Sequence, residues 1–385
     1  MPVSRDDNFM CREENMNKIL TAGAALMLTT SMASAGGIDR GGNDYSVLFE
    51  HGNFAQLSFS SVSPTVSGDY IALLGGGSTG DMANDYVTAG IALKYQLNDQ
   101  IAIAFFLNQP YGADAEYSSG FYTGLQAKWT STATSLVAKY NATPAVSVYG
   151  GVRYVQSSAT INIPPLLMSS GATTNASYNY SASTNTDSQM SYILGAAYEK
   201  PEIALRVALT YESGFTHSFQ SSETFPAGAL SNFAGTTTIQ MPSALTLDFQ
   251  TGVAANTLVF GSIRYSDWSV WDVTPPGYYG VASDSITSID NPVTTYKIGI
   301  GRKINDEFSV FARLGYEKAN GGVASRLAPT DGMKSIGVGG SYTVGNVKIT
   351  GGLEYAMLGD AVDGSGTSFT GSNALGVGIN VGVNF

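Results

Sequence analysis

The chain has a single cysteine, Cys11, only two histidines, His51 and His217, and charged side chains at 13% of its 385 residues. One thiol cannot form an internal disulfide, so no covalent cross-link braces the fold. Neither histidine sits in a His-x-x-x-His spacing, which leaves no metal motif. A hydrolase would need a serine paired with a histidine. Ser218 directly follows His217, and strand neighbours point to opposite faces. We therefore expect no catalysis, no metal and no cofactor. Basic residues number 19 against 30 acidic ones, a net charge of −11 with no basic run, which makes a poor nucleic-acid binder. The acidic excess falls in loop-like segments, which suits an outer surface and equally suits plain solubility. Long apolar runs are also missing: Ile19 to Leu28 is too short to span a bilayer as a helix. Gly75-Gly-Gly-Ser-Thr-Gly80 has the look of a phosphate loop, but no lysine follows it. It reads as a connection between hairpin strands.

What is abundant is glycine (45) and tyrosine (22), arranged on a period of two. The last residues show it best. Leu375, Val377, Ile379, Val381, Val383 and Phe385 alternate with Gly376, Gly378, Asn380, Gly382 and Asn384. That alternation puts one apolar face and one small or polar face on a strand. A chain that ends on such a strand with a terminal Phe resembles bacterial outer-membrane barrels, in which the terminal ring is a signal to the assembly machinery. The apolar face then meets lipid and the other a polar lumen.

The start of the chain agrees. Met16-Asn-Lys18, the short apolar run and Ala33-Ser-Ala35 read as a secretory signal peptide over 1–35, with Met16 as the expected true start. Residues 54–385 then hold fourteen strand candidates, near 54–67, 83–97, 100–112, 121–139, 145–163, 188–200, 202–219, 236–250, 256–272, 293–303, 307–318, 333–344, 346–358 and 371–385. Short links such as Leu97–Gln100 and Val344–Asn346 alternate with long ones at Pro164–Asp187, Gln220–Gly235 and Asp272–Asn291. Short turns on one rim and long loops on the other match periplasmic and external sides. Ser169 to Ser188 reads as a mobile external loop. The expected fold is an all-β transmembrane antiparallel barrel of about 14 strands in the outer membrane.

Facing follows from parity. In Ile203–Tyr211 the apolar set faces lipid and sends Arg206 inward. The same exercise turns Arg153, Arg264, Lys297, Arg313 and Lys348 inward, with Asp248, Glu317 and Glu354. An Arg or Lys facing hydrocarbon near the midplane costs about 2–4 kcal/mol. Once inside, these charges either form a lattice of ion pairs that stiffens the wall, or a few of them meet a carboxylate cargo.

Several stretches, in order, resemble the outer-membrane long-chain fatty acid transporters of the FadL/TodX type. They are Val146–Val155, Leu209–His217, the Pro-led Met241–Phe249, the Trp-Ser signature in Leu258–Trp271, and Pro329-Thr-Asp331. The resemblance spans most of the chain after residue 35. It implies a fourteen-stranded barrel that passes fatty acids or other hydrophobic molecules, plugged by an N-terminal hatch, here 36–53, with a lateral hole at a kinked third strand. Its partners would be outer-membrane lipid and lipopolysaccharide, with Phe385 addressing the assembly machinery. Pro110 and Gly112 would carry the kink, since Pro cannot donate to the ladder and Gly tolerates a bend. The alternative for Pro110 is a strand that simply ends. The candidate cargo contacts are Arg153, Arg206, Arg264, Lys297, Phe311, Phe49 and Phe54. Ile38, Tyr45, Val47 and Leu48 would add to a greasy pocket. The family's Asn-Pro-Ala hatch motif is missing, with Phe49-Glu-His-Gly-Asn53 in its place, and the hatch is short. A general porin or a structural or adhesive barrel is the alternative function.

Overall fold

A computed structural model describes residues 37–168, 179–225 and 232–385; the expected signal peptide with its cleavage box, and residues 169–178 of the expected external loop, lie outside them. Eighteen strands form one closed antiparallel sheet. They are β1 Phe54–Thr65, β2 Tyr86–Gln96, β3 Ile101–Asn108, β4 Gly112–Glu116, β5 Gln126–Asn141 and β6 Val146–Ile163. Next come β7 Tyr180–Thr184, β8 Asp187–Lys200, β9 Leu205–Glu212, β10 Phe215–Thr224, β11 Asn232–Met241 and β12 Ala244–Ala254. The last are β13 Thr257–Ser266, β14 Val293–Lys303, β15 Phe308–Glu317, β16 Met333–Val344, β17 Val347–Leu358 and β18 Asn373–Asn384. Four pairs, β3/β4, β7/β8, β9/β10 and β11/β12, are each one stave broken in the middle, so the wall has 14 staves, as expected. β1 closes it, pairing β18 from Phe54↔Asn384 to Thr65↔Asn373 and β2 on its other edge.

The breaks correct the strand boundaries read from sequence. The continuous strand expected over 202–219 starts at Leu205, after a 3-10 turn at Pro201–Ile203, and is interrupted at Ser213-Gly214. Pro242, which has no N–H to give, separates β11 from β12. The expected start at 121 is a 3-10 turn at Gly120–Tyr122. The Trp-Ser signature leaves the wall altogether: Trp268–Val270 is a 3-10 turn that carries Trp268 and Trp271 inside. The loops are not bare either. Tyr180–Thr184 is a strand, and α1, Pro276–Ala282, sits in the long 272–291 connection. The Glu223 carboxylate accepts from the first amides of α1, Gly277 N at 2.9 Å and Tyr278 N at 2.7 Å, and so pins that loop to β10.

Two rings of aromatics mark the bilayer. Tyr95, Tyr140, Tyr198, Tyr342 and Phe308 lie outward beside the short turns, with Phe385 at the chain end. Tyr154, Tyr192, Tyr265, Tyr296, Tyr316 and Tyr355 lie outward at the other level. Between them the exposed residues are apolar, among them Leu136, Leu194, Leu209, Ile298, Val338, Leu353 and Ile379. Beyond the second ring the outward positions turn polar, as at Thr216, Ser218 and Gln220. Parity holds inside: Arg153, Arg206, Arg313, Glu317 and Glu354 are buried in the lumen. Part of the glycine enrichment is packing. Inward rings lie flat over glycines of the next stave, where a Cβ would come within 2.6 Å of Phe54 at Gly382 and 2.4 Å of Phe311 at Gly339.

Val338 sits outward at mid-height, opposite Ala312 and Leu353. Val338→Arg should destabilise the barrel by about 2–4 kcal/mol, measured by urea unfolding in lipid vesicles. An effect below 1 kcal/mol would mean this face does not meet hydrocarbon.

Candidate functional site

The ladder splits at the third stave. β3 pairs β2 only from Ile91↔Leu107 down to Gln96↔Ala102, while β4, beyond the break, pairs β5 and meets the segment ahead of β2 through a bridge at Ala83↔Ala115. The upper part of β2, Tyr86 to Gly90, therefore has no ladder partner on that side. Pro110 and Gly112 stand at this break. A small gap of about 30 Å³ there is lined by Gly41, Gly42, Thr88, Ala89, Gly90, Asn108 and Gln109, among others.

The N-terminal segment closes it from inside. The amides of Arg40 and Gly41 donate to Pro110 O (2.8 and 3.4 Å), and Gly112 N donates to Ile38 O (2.9 Å). The Arg40 guanidinium lies 3.9 Å from the centre of the Tyr86 ring on β2. Its stem occupies the space a Cβ on Gly112 would take, with Cδ and Nε at 2.6 Å. One side chain thus bridges the two edges of the split. No period-two signal marks Arg40, because it belongs to no strand.

Further along, Tyr45–Phe49 forms a 3-10 turn in the lumen, capped by the Asp44 side chain. Tyr45 Oη donates to Glu212 Oε1 (2.9 Å) and Gln56 Nε2 to Asp44 Oδ2 (3.0 Å). Lys94 Nζ donates to Gly52 O at 3.1 Å. Val47 and Leu48 are fully buried against Phe106, Tyr149 and Ile193. They anchor the segment and do not line a pocket. Burial raises the Asp39 carboxyl above its ordinary range despite Arg264 nearby, and burial raises Glu50 likewise.

Between this segment and the far wall lies a cavity of about 230 Å³. Tyr45, Phe49, Tyr149 and Phe260 supply its aromatic surface, and Arg40, Arg153, Arg206, Arg264, Lys297 and Arg313 its cations. Of the candidates named from sequence, Arg153, Arg206, Arg264, Lys297 and Phe49 meet here. Phe54 and Phe311 do not line it; Phe260, whose ring lies over Gly299 as theirs do over Gly382 and Gly339, takes the place expected of Phe311.

The cations divide cleanly. Arg153 and Arg264 share Glu212, at 3.0 and 2.9 Å, and Arg264 also faces Asp39 at 3.8 Å. Arg313 pairs Glu354, which also accepts from Ser335 at 2.7 Å. Arg206 meets no carboxylate within ion-pair distance among the described residues; it donates to Gln250 Oε1 (3.1 Å) and lies 4.7 Å from the Phe49 ring centre. Lys297 makes no hydrogen bond or ion pair to any described residue, and Asp248 stands in the same cavity beyond ion-pair reach of both. Sequence reasoning passed over Glu212, the hub of the pairing, although it shares parity with Arg206 on β9.

Above the cavity an apolar layer fills the barrel: Ile38, Tyr111, Trp129, Val155, Phe215, Phe219, Trp268 and Trp271. Above that, a vestibule of about 450 Å³ is lined by Leu125, Ile163, Tyr278, Arg326 and Leu327, among others.

The family model of outer membrane protein transport proteins (OMPP1/FadL/TodX) matches residues 46–363. Among solved structures, a FadL homologue of Pseudomonas aeruginosa superposes with a TM-score of 0.71 at 12% identity, covering 91% of this chain and 96% of its own. The toluene transporters TodX of P. putida and TbuX of Ralstonia pickettii give TM-scores of 0.64 and 0.58. Both are 15% identical, over 92% of this chain and 97% of theirs. No curated protein matches by sequence.

Because docking raises Asp39 from 3.8 and Glu50 from 4.5, the docked segment binds more protons than the free one. Docking should therefore tighten as pH falls from the docked values toward the ordinary ones. Hydrogen exchange of residues 37–53, corrected for intrinsic rates, should slow over that window. The slowing should flatten in Asp39→Asn/Glu50→Gln; protection that falls with pH would refute the sign.

Proposed function

Because the chain belongs to the OMPP1/FadL/TodX family of outer-membrane transport proteins, we propose that it admits amphipathic acids, long-chain fatty acids in the first place, and releases them sideways into the bilayer. The observation that carries this reading is the division of the cavity cations. Arg153, Arg264 and Arg313 have carboxylates of their own, whereas Arg206 and Lys297 face the cavity without one. A hydrocarbon tail has the aromatic surface of Phe49, Tyr149 and Phe260 to lie on, and a carboxylate head completes the two open cations. A neutral aromatic hydrocarbon, the cargo named for TodX and TbuX, would leave both cations as they are.

Exit would use the split third stave. Arg40 is the third cavity cation without a carboxylate within ion-pair distance among the described residues, and it fills the gap. A head group that draws the Arg40 guanidinium off Tyr86 would free the edges of β2 and β4 and open the wall to lipid. The N-terminal segment then serves as hatch and bolt together. An open porin fits poorly, because that segment and the aromatic layer occupy the lumen.

Lys297→Met and Arg206→Met should each weaken displacement of a fluorescent fatty acid by about 1.5–3 kcal/mol, roughly ten-fold or more, as expected for hydrogen bonds to a charged group. Toluene binding should stay unchanged in both. Equal losses for acid and toluene would point to a collapsed cavity, and no loss for either would move the head group elsewhere.

Gly112→Ala should push Arg40 from the gap while β4 keeps its pairing to β5. Hydrogen exchange at residues 37–42 should rise, and transfer of the fluorescent acid into liposomes should quicken. Faster exchange with unchanged transfer would dismiss Arg40 as the bolt.

A further inference from the structure

Four buried ring nitrogens of the aromatic layer between vestibule and cavity have no hydrogen-bond partner among the described residues. Besides Nε1 of Trp268, they are Nε1 of Trp129, Nε1 of Trp271 and Nε2 of His217. All three side chains are more than nine-tenths buried, and His217 is fully so. They gather around one indole: Trp129 lies 5.9 Å from the His217 ring centre and 6.5 Å from that of Trp271. Phe219 stacks on His217 at 4.7 Å and stands edge-on to Trp129 at 5.4 Å. Buried polar atoms are paired as a rule, so three orphans in one cluster call for an occupant. Trp268 is set aside, because its Nε1 is turned toward the Asp39 carboxylate.

The chemistry of the occupant follows from the tautomer. His217 Nδ1 lies 2.7 Å from Asp187 Oδ2, which also accepts from Gln189 Nε2 at 2.9 Å and Ser218 N at 3.2 Å. An oxygen that receives those donors is a carboxylate acceptor, so Nδ1 carries the imidazole proton and Nε2 presents its lone pair. The cluster then offers two N–H donors and one acceptor. A hydroxyl group is the complement, with two lone pairs and one proton. A carboxylate has no proton for Nε2, and a hydrocarbon satisfies none of the three.

Position gives this site a role. Along β5, Leu125, just before the strand, lines the vestibule and Trp129 the layer. Along β6, Ile163 lines the vestibule, Val155 the layer and Arg153 the cavity. Along the seventh stave, His217 and Phe219 lie in the layer and Glu212 in the cavity. Any molecule passing down the barrel from vestibule to cavity crosses the layer. We infer that Trp129, Trp271 and His217 form a hydroxyl-binding station on the route, suited to an alcohol or phenol carried on a ring-sized apolar body. The station shares no residue with the open cations of the cavity, so the two readings stand or fall apart.

The three tryptophans of the chain, Trp129, Trp268 and Trp271, all lie in this layer, so intrinsic fluorescence reads it directly. The full-length barrel, purified in detergent, would be titrated with benzyl alcohol and with toluene, its hydroxyl-free twin, exciting at the red edge of indole absorption. The expected result is a saturable change with benzyl alcohol about ten-fold tighter than with toluene. His217→Phe keeps a stacked ring but removes the acceptor, and should bring the two compounds level. Trp129→Phe removes one donor and should narrow the difference. Each variant must keep heat-modifiable migration and wild-type fatty-acid displacement, which separates a lost station from a lost fold. Equal binding of both compounds, or a preference that survives His217→Phe, would overturn the site. So would the absence of any saturable response, which would mean that the three nitrogens hold water only.

Discussion

Hydrocarbon offers no hydrogen-bond partner, so every backbone amide and carbonyl in the wall must be paired within the protein. Closure through β1 and β18 answers that demand around most of the barrel. Pairing fails at the third stave, where Pro110 has no N–H and the chain swings away from β2 above Ile91↔Leu107. The orphaned groups are met from elsewhere: Gln109 Oε1 faces Ala89 N at 3.4 Å, while Pro110 O and Gly112 N pair with residues 38–41. The N-terminal segment is therefore part of the wall chemistry and not merely an object in the lumen. On the proposed exit route, opening the wall would require moving the segment, because the same hydrogen bonds hold both.

A second consequence concerns charge. Turning the charged side chains of the middle of the wall inward gathers cations and carboxylates in a confined space, where each must find a partner or water. Glu212 serves two arginines and the Tyr45 hydroxyl at once, which ties β6, β9, β13 and the segment to one carboxylate. That arrangement leaves Arg153, named from sequence as a cargo contact, already committed to a carboxylate of the wall.

Much of this was legible in the chain. Period two is a property of each strand alone, so it reported the facing of Arg206, Arg313 and Glu354 without any knowledge of neighbours. Pro110 and Gly112 carried their own backbone constraints, and the ladder breaks between Asn108 and Gly112. What stayed hidden depends on distance across the lumen. Nothing in the order of residues says that Arg153 and Arg264, 111 positions apart, will share one acid. Phe311 was assigned to a pocket because parity turns it inward, and Phe54 as an apolar residue of the plug region, yet neither ring lines the cavity and both lie over glycines of adjoining staves. Trp268 and Trp271 were read as wall residues because the strand before them is regular. The turn that folds them inward breaks no sequence rule.

Arg206 and Lys297 show why the remaining ambiguity is chemical. A lumen cation without an acid nearby is tolerable while water can reach it, and Phe49 offers Arg206 a ring face that costs little to lie against. Bringing an apolar tail into the same cavity expels that water, and each bare cation then becomes expensive. An acid-headed cargo removes the cost as it creates it; a hydrocarbon only creates it. On the proposed reading, the same cavity would favour amphipathic acids over their neutral counterparts through the desolvation of its own side chains, before any contact between the tail and the wall is counted.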